Sequence, residues 1–140
     1  MNQDIRELIV SRLKPEQMVF LATSMNDQPY IRPVTLIYNK DRFYIATGSA
    51  DAKTTQIAAN PKVEICILFR EENYSGYIRA RGCMEAVQDT SLRKEIFDSE
   101  EYIRHYWNHP DDEGFILYEM YWRVADYMHP GDDFSTTIDW

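Results

Sequence analysis

The sequence predicts a mainly β fold with small helices, its six antiparallel strands forming a closed or nearly closed barrel. Three observations predict it. Six runs rich in β-branched and aromatic residues are separated by turn chemistry, only two or three stretches carry helical spacing, and no linker, repeat or low-complexity tract interrupts the 140 residues. Closing the sheet protects its strand edges. The whole chain, 1–140, reads as one domain, with 130–140 as a loosely ordered polar tail.

The elements follow in order. Residues 2–13 place Ile5, Leu8, Ile9 and Leu13 at helical spacing, with Asn2 as a start cap and Pro15 just past the end. Residues 18–25 (MVFLATSM), 30–38 and 42–47 (RFYIAT) read as three strands of a meander, joined by Asn26-Asp27 and Asn39-Lys40-Asp41. Gly48 to Ala59 reads as a tight turn into a short helix that Asn60-Pro61 stops. Residues 63–69 form a strand with Val63, Ile65, Ile67 and Phe69 on one side. Tyr74 to Val87 is a long strand or bent pair, with Gly76 and Gly82 as candidate bulges. Residues 90–98 are helical, with a helical tendency running on toward Trp107. An acidic loop from Pro110 to Gly114 precedes a last long strand over 115–127. The tail stays loose unless Phe134 or Trp140 docks on a partner.

The formal net charge is −8, which makes nucleic acid and anionic lipid poor partners. No apolar signal segment opens the chain and no stretch approaches a membrane-spanning length. Cys66 and Cys83 lie in strand-like runs without CxxC spacing. They read as buried small hydrophobes of a cytoplasmic protein with reduced thiols.

An acidic protein that binds a phosphorylated ligand must gather local cations, and two stand out. Arg32 lies mid-strand among apolar neighbours and, unless it points outward, needs an anionic partner. Lys53 sits in the first turn of the short helix, where backbone N–H groups and the helix dipole favour an anion. Thr47, Ser49, Thr54 and Thr55 add hydroxyls, and Gly48 allows close backbone approach. From spacing alone, a solvent-facing Arg32 and an ordinary surface Lys53 fit equally well.

Residues 18–65, and more loosely 74–127, resemble the pyridoxamine 5′-phosphate oxidase-like, FMN-binding split-barrel family, in its short bacterial general-stress branch. The pieces that carry the likeness are, in order, MVFLAT, QPYIRPV, RFYIATGSADAK, TTQIAANPKVEICI, GYIRARGCMEAV and WNHPDDEGF. No single piece is specific; their order and spacing are. The resemblance implies a split-barrel homodimer with two FMN sites at the subunit interface, acting as an oxidoreductase on an unidentified small molecule. It matches Arg32 to the strand arginine near the flavin phosphate. Pro33, Val34 and Thr35 match the stretch whose backbone runs beside the isoalloxazine ring, and Thr47 the threonine that closes the next strand. Lys53 and Thr54 match the phosphate-binding pair. Many relatives carry serine where this chain has Asp51. A carboxylate there costs phosphate affinity unless it turns away or caps the helix, and Ser49 is the substitute hydroxyl. That departure keeps open a non-enzymatic flavin or other cofactor carrier. The chain also lacks the arginine-rich C-terminal segment that holds vitamin B6 phosphate, so that oxidation is not expected.

The remaining signals have plainer readings. His105 and His109 stand four apart, but the helix ends between them, and no metal is expected. Tyr102, Tyr106 and Trp107 read as core or interface packing, or alternatively as a wall of the ligand cleft. Arg79 and Arg81 are expected to share a strand face and to pair with carboxylates, or alternatively to reach the partner's phosphate. No catalytic acid, base or nucleophile is visible.

Overall fold

A computed structural model describes residues 2–140, the side chains of Asn2 and Gln3 excepted, so the expected cap at Asn2 lies outside the described side chains. α1 (Asn2–Arg12) leads into the meander β1 (Glu16–Met25), β2 (Gln28–Asn39) and β3 (Arg42–Gly48). The two connecting turns have both central residues at positive φ: Asn26 at 53° and Asp27 at 62°, Lys40 at 49° and Asp41 at 62°. Such mirror-image turns match the right-handed strand twist, and Asn and Asp tolerate them at low cost. α2 (Ala52–Ala59) ends at Asn60, whose N–H donates to the Gln56 carbonyl. β4 (Lys62–Glu71), β5 (Tyr74–Ala86), α3 (Thr90–Ser99), α4 (Glu101–Tyr106), β6 (Phe115–Met128) and β7 (Thr136–Asp139) complete the chain.

The strand order is β3-β2-β1-β4-β5-β6-β7, and β3 also pairs with β6 from Phe43↔Met120 to Gly48↔Phe115. Strands β1 to β6 therefore form the expected six-stranded antiparallel ring. The ring is split beside β2. That strand pairs with β1 from Gln28 to Ile37, but with β3 only from Ile37 to Asn39. Its other edge has no strand partner from Gln28 to Leu36 among the described residues.

The barrel is filled by alternating inward residues, among them Val19, Leu21, Leu36, Ile45, Ile65, Ile67, Ile78 and Ala80. Each fully buried Val, Leu or Ile contributes about 1.5–3 kcal/mol. A second cluster under α3 and α4 gathers Ile37, Tyr44, Val87, Ile96, Phe97, Ile103, Phe115 and Leu117. Its helices have local causes. The Asp89 carboxylate accepts from the N–H groups of Ser91 and Leu92 at 2.9 and 3.1 Å and starts α3. The helical tendency does not run on unbroken: Glu100 is extended (φ −119°, ψ 106°), and the Arg104 guanidinium, from α4, donates to the carbonyls of Phe97 and Asp98.

Four further expectations are corrected. The tail is not wholly loose: Thr136–Asp139 pairs with β6, and Trp140 packs 4.8 Å from Trp122, under the Arg6 guanidinium. Trp140 thus docks on its own chain, while Phe134 stays exposed. Cys66 and Cys83 are half-buried free thiols rather than core residues, because they alternate with the inward positions. Leu8 is exposed, and Ile9 is the α1 residue in the core. Of the two candidate bulges only Gly82 marks one, where the β5–β6 register shifts between Arg81 and Gly82. A Cβ there would sit 1.9 Å from the Tyr121 carbonyl oxygen.

Candidate functional site

β2 places Arg32 opposite Leu21 of β1, on the inward face of the sheet. α2 covers this end of the barrel, and the guanidinium meets it. One NH2 group donates to the Leu21 carbonyl at 3.2 Å and to Thr23 Oγ1 at 2.9 Å, while the other donates to Gln56 Oε1. Thr23 and Gln56 are both buried, and Thr23 Oγ1 donates to Gln56 Oε1 at 2.6 Å. Arg32 therefore does not face solvent. It is half-buried, its acceptors among the described residues are all neutral, and desolvation lowers its pKa. A guanidinium held in this way has net positive charge to offer an anion.

Lys53 lies one turn before Gln56 on α2, and its side chain is only 17% exposed, so it is not an ordinary surface residue either. Its ammonium lies 3.1 Å from Asp51 Oδ2. The same oxygen accepts from Thr47 Oγ1 at 2.8 Å and from the Gly48 N–H at 3.1 Å. Those three donors hold the Asp51 carboxyl at about 2, well below its ordinary range. Asp51 precedes α2 but its side chain does not cap it. It neither turns away nor caps the helix, the two escapes that the sequence left open.

The other expected residues divide. Thr47 is buried and joins the Asp51–Lys53 group. Thr54 Oγ1 donates to the Gly48 carbonyl at 2.7 Å, closing the turn from inside. Ser49 and Thr55 are exposed, and the Ser49 backbone N–H is bonded to the Gly114 carbonyl. Pro33 and Thr35 alternate with Val34 along the stretch of β2 whose second edge is unpaired. The structure thus joins Arg32 to α2 through Gln56, and Thr47 to Lys53 through Asp51, with both groups on the same two turns of helix.

Sequence reasoning missed Thr23 and Gln56. Two signals for them existed: Thr23 alternates in phase with Val19 and Leu21, and Gln56 sits three residues after Lys53 beside the buried Ile57. A cleft of about 430 Å³ opens nearby, lined by Thr23, Pro29, Lys62, Arg81, Arg123 and Val124 among others. It touches the Arg32 network only at Thr23. Of the remaining candidates, Trp107 packs 5.1 Å from Phe115 in the second cluster and Tyr106 is exposed. The buried Tyr102 hydroxyl has no hydrogen-bond partner among the described residues, and burial raises its pKa. Arg79 pairs with Glu64 at 2.7 Å and Arg81 with Asp126 at 2.8 Å. His109 lies beyond the end of α4, and no group of three or more potential metal ligands occurs among the described residues. Among the described residues no helix is long and apolar enough to cross a membrane.

General stress protein 26 of Bacillus subtilis (strain 168) is 21% identical over 139 residues, covering 99% of this chain and 98% of that protein. Among solved structures, a heme binding protein from Mycobacterium smegmatis shares the fold at a TM-score of 0.75 and 15% identity, over 89% of this chain and 53% of that one. A FAD-binding protein from Mesorhizobium loti does so at 0.72 and 13%, over 94% and 95%. Residues 5–124 match the family described as pyridoxamine 5′-phosphate oxidase, with the unpaired stretch of β2, α2 and the Arg32 network inside the match. The chain is a split-barrel member of the pyridoxamine 5′-phosphate oxidase-like family, homologous to general stress protein 26.

Proposed function

We propose that this protein is an FMN-binding flavoprotein that works as an oxidoreductase on a small molecule, as a homodimer in the cytoplasm. The observation that carries the reading is Arg32: a half-buried guanidinium, fixed by Thr23 and Gln56, whose acceptors among the described residues are all neutral. A phosphate monoester fits there, because the planar guanidinium matches phosphate oxygens. Lys53 fits as the second cation, although Asp51 already engages it. Bound FMN supplies the redox chemistry. The chain's own residues position it. Arg32 and Lys53 hold the phosphate end, Thr47 supports Lys53 through Asp51, and the unpaired edge beside Pro33, Val34 and Thr35 offers backbone groups to ring heteroatoms. A FAD-binding neighbour on the same fold supports a flavin.

The dimer rests on the outer face of β1, β2 and β4, where Met18, Ile31 and Leu68 are 63%, 71% and 62% exposed. Two free cysteines fit a reducing compartment. Asp51 favours a second reading, a flavin carrier without turnover, since it weakens the hold on a dianion.

The absorption spectrum of the purified protein, before and after adding FMN, tests the reading. A flavin spectrum that dithionite or a nicotinamide donor bleaches is expected. A colourless protein that FMN does not restore would refute it, and a Soret band would assign the site to heme instead. A flavin spectrum with no turnover for any donor selects the carrier.

A further inference from the structure

We propose that Asp51 is a resident anion that sets the charge of the phosphate site, so that the site favours a ligand group with one negative charge over a doubly charged phosphate monoester. The inference rests on Arg32 and Lys53 forming that site.

The bonding of Asp51 is that of a bound anion rather than of a helix cap. A capping carboxylate accepts from the amides of the first helical turn. Asp51 Oδ2 instead accepts from the Thr47 hydroxyl, the Gly48 amide and the Lys53 ammonium, at 2.8, 3.1 and 3.1 Å. These are the donors that the end of β3 and the start of α2 would otherwise turn toward a ligand's oxygens. The carboxylate stays ionised throughout the physiological range, because the same donors hold its pKa at about 2.

The charge balance follows. Arg32 and Lys53 bring two positive charges, which match a phosphate monoester in its dianionic form. With Asp51 in place, one charge remains uncompensated, and it is on Arg32. That matches a monoanion: a phosphodiester, one phosphate of a pyrophosphate, or a carboxylate. Asp51 is 52% exposed on its side chain, so a ligand can approach it without unfolding the turn. Lys53, at 17% exposure, is the partner held in place. A dianion must therefore bind against a neighbouring negative charge or force Asp51 to turn out, and either costs affinity.

Asp51→Asn tests this, because it removes the charge and keeps the shape. Three probes share one ring system: FMN, its monomethyl phosphate ester and riboflavin, with two, one and no negative charges at pH 8. Dissociation constants come from fluorescence titration of apoprotein. The substitution should tighten FMN binding by roughly tenfold, the methyl ester by roughly threefold, and leave riboflavin within about twofold, as expected for removing one screened charge. Asp51→Ser should shift FMN in the same direction. Unchanged riboflavin affinity reports that both variants fold. An FMN-to-ester preference equal in parent and variants would overturn the proposal while leaving the flavin site intact. Failure of every probe to bind parent and variants alike would overturn the flavin reading, and this proposal with it.

Discussion

Replacing Arg32 by Met removes the guanidinium and keeps most of the side chain's volume, which separates binding from stability. The acceptors that Arg32 leaves behind are not orphaned. Gln56 Oε1 still accepts from Thr23 Oγ1 at 2.6 Å, and Leu21 remains within the sheet between β2 and β4. The parent side chain also carries a desolvation cost, seen in its lowered pKa, that methionine does not. The lost hydrogen bonds and the relieved desolvation therefore oppose each other, and stability should change by no more than about 1 kcal/mol. FMN binding has no such compensation. One charge-assisted hydrogen bond to phosphate is lost, about 1.5–3 kcal/mol, which weakens binding by roughly 10- to 150-fold. Urea denaturation and FMN titration of the same preparations give the two numbers. Arg32→Met with parental FMN affinity would refute the assignment of Arg32 to the phosphate.

Other consequences can be measured in parallel. Lys53→Ala should weaken FMN binding less than Arg32→Met, by under about 1.5 kcal/mol in titration, because Asp51 already shares its charge. Gly82→Ala should destabilise the fold by about 3 kcal/mol in urea denaturation, because its Cβ would overlap the Tyr121 carbonyl at 1.9 Å and force β5 from β6. Glu100 is buried, and burial together with Glu16 pushes its pKa up to about 7 from an ordinary 4.5. The folded state therefore binds more protons than the unfolded state between those values, and stability should fall as pH rises from about 4.5 to 7, as followed by denaturation midpoints. Glu100→Gln should flatten that slope. Leu68→Lys should shift sedimentation from dimer toward monomer, because a charge on the outer face of β4 opposes its burial against a second copy.

The strands and the two cations were legible in the residues because both depend on local chemistry. Period-two alternation separates Val63, Ile65 and Ile67 from the outward Cys66, and Asn26-Asp27 can adopt the positive φ that its turn needs. A cation in the first turn of α2 is noticeable because it opposes the helix dipole. What sequence did not disclose depends on pairings distant along the chain. The closed barrel was expected, but not which strands close it: the β3–β6 pairing joins residues about seventy positions apart, and β7 forms because the 14-residue β6 extends past β3. The break at Glu100 depends on Arg104 reaching back to Phe97 and Asp98. The direction of the Asp51 carboxylate was also hidden. A residue before a helix ordinarily caps it, and only the three-dimensional approach of Thr47 and Gly48 draws Asp51 the other way.

A crystal structure of the protein grown with FMN tests the central claim most directly. The account predicts the flavin phosphate within hydrogen-bonding distance of the Arg32 guanidinium, with Lys53 as the second cation. A flavin bound elsewhere, for instance in the cleft beside Lys62 and Arg123 with its phosphate away from both side chains, would contradict it.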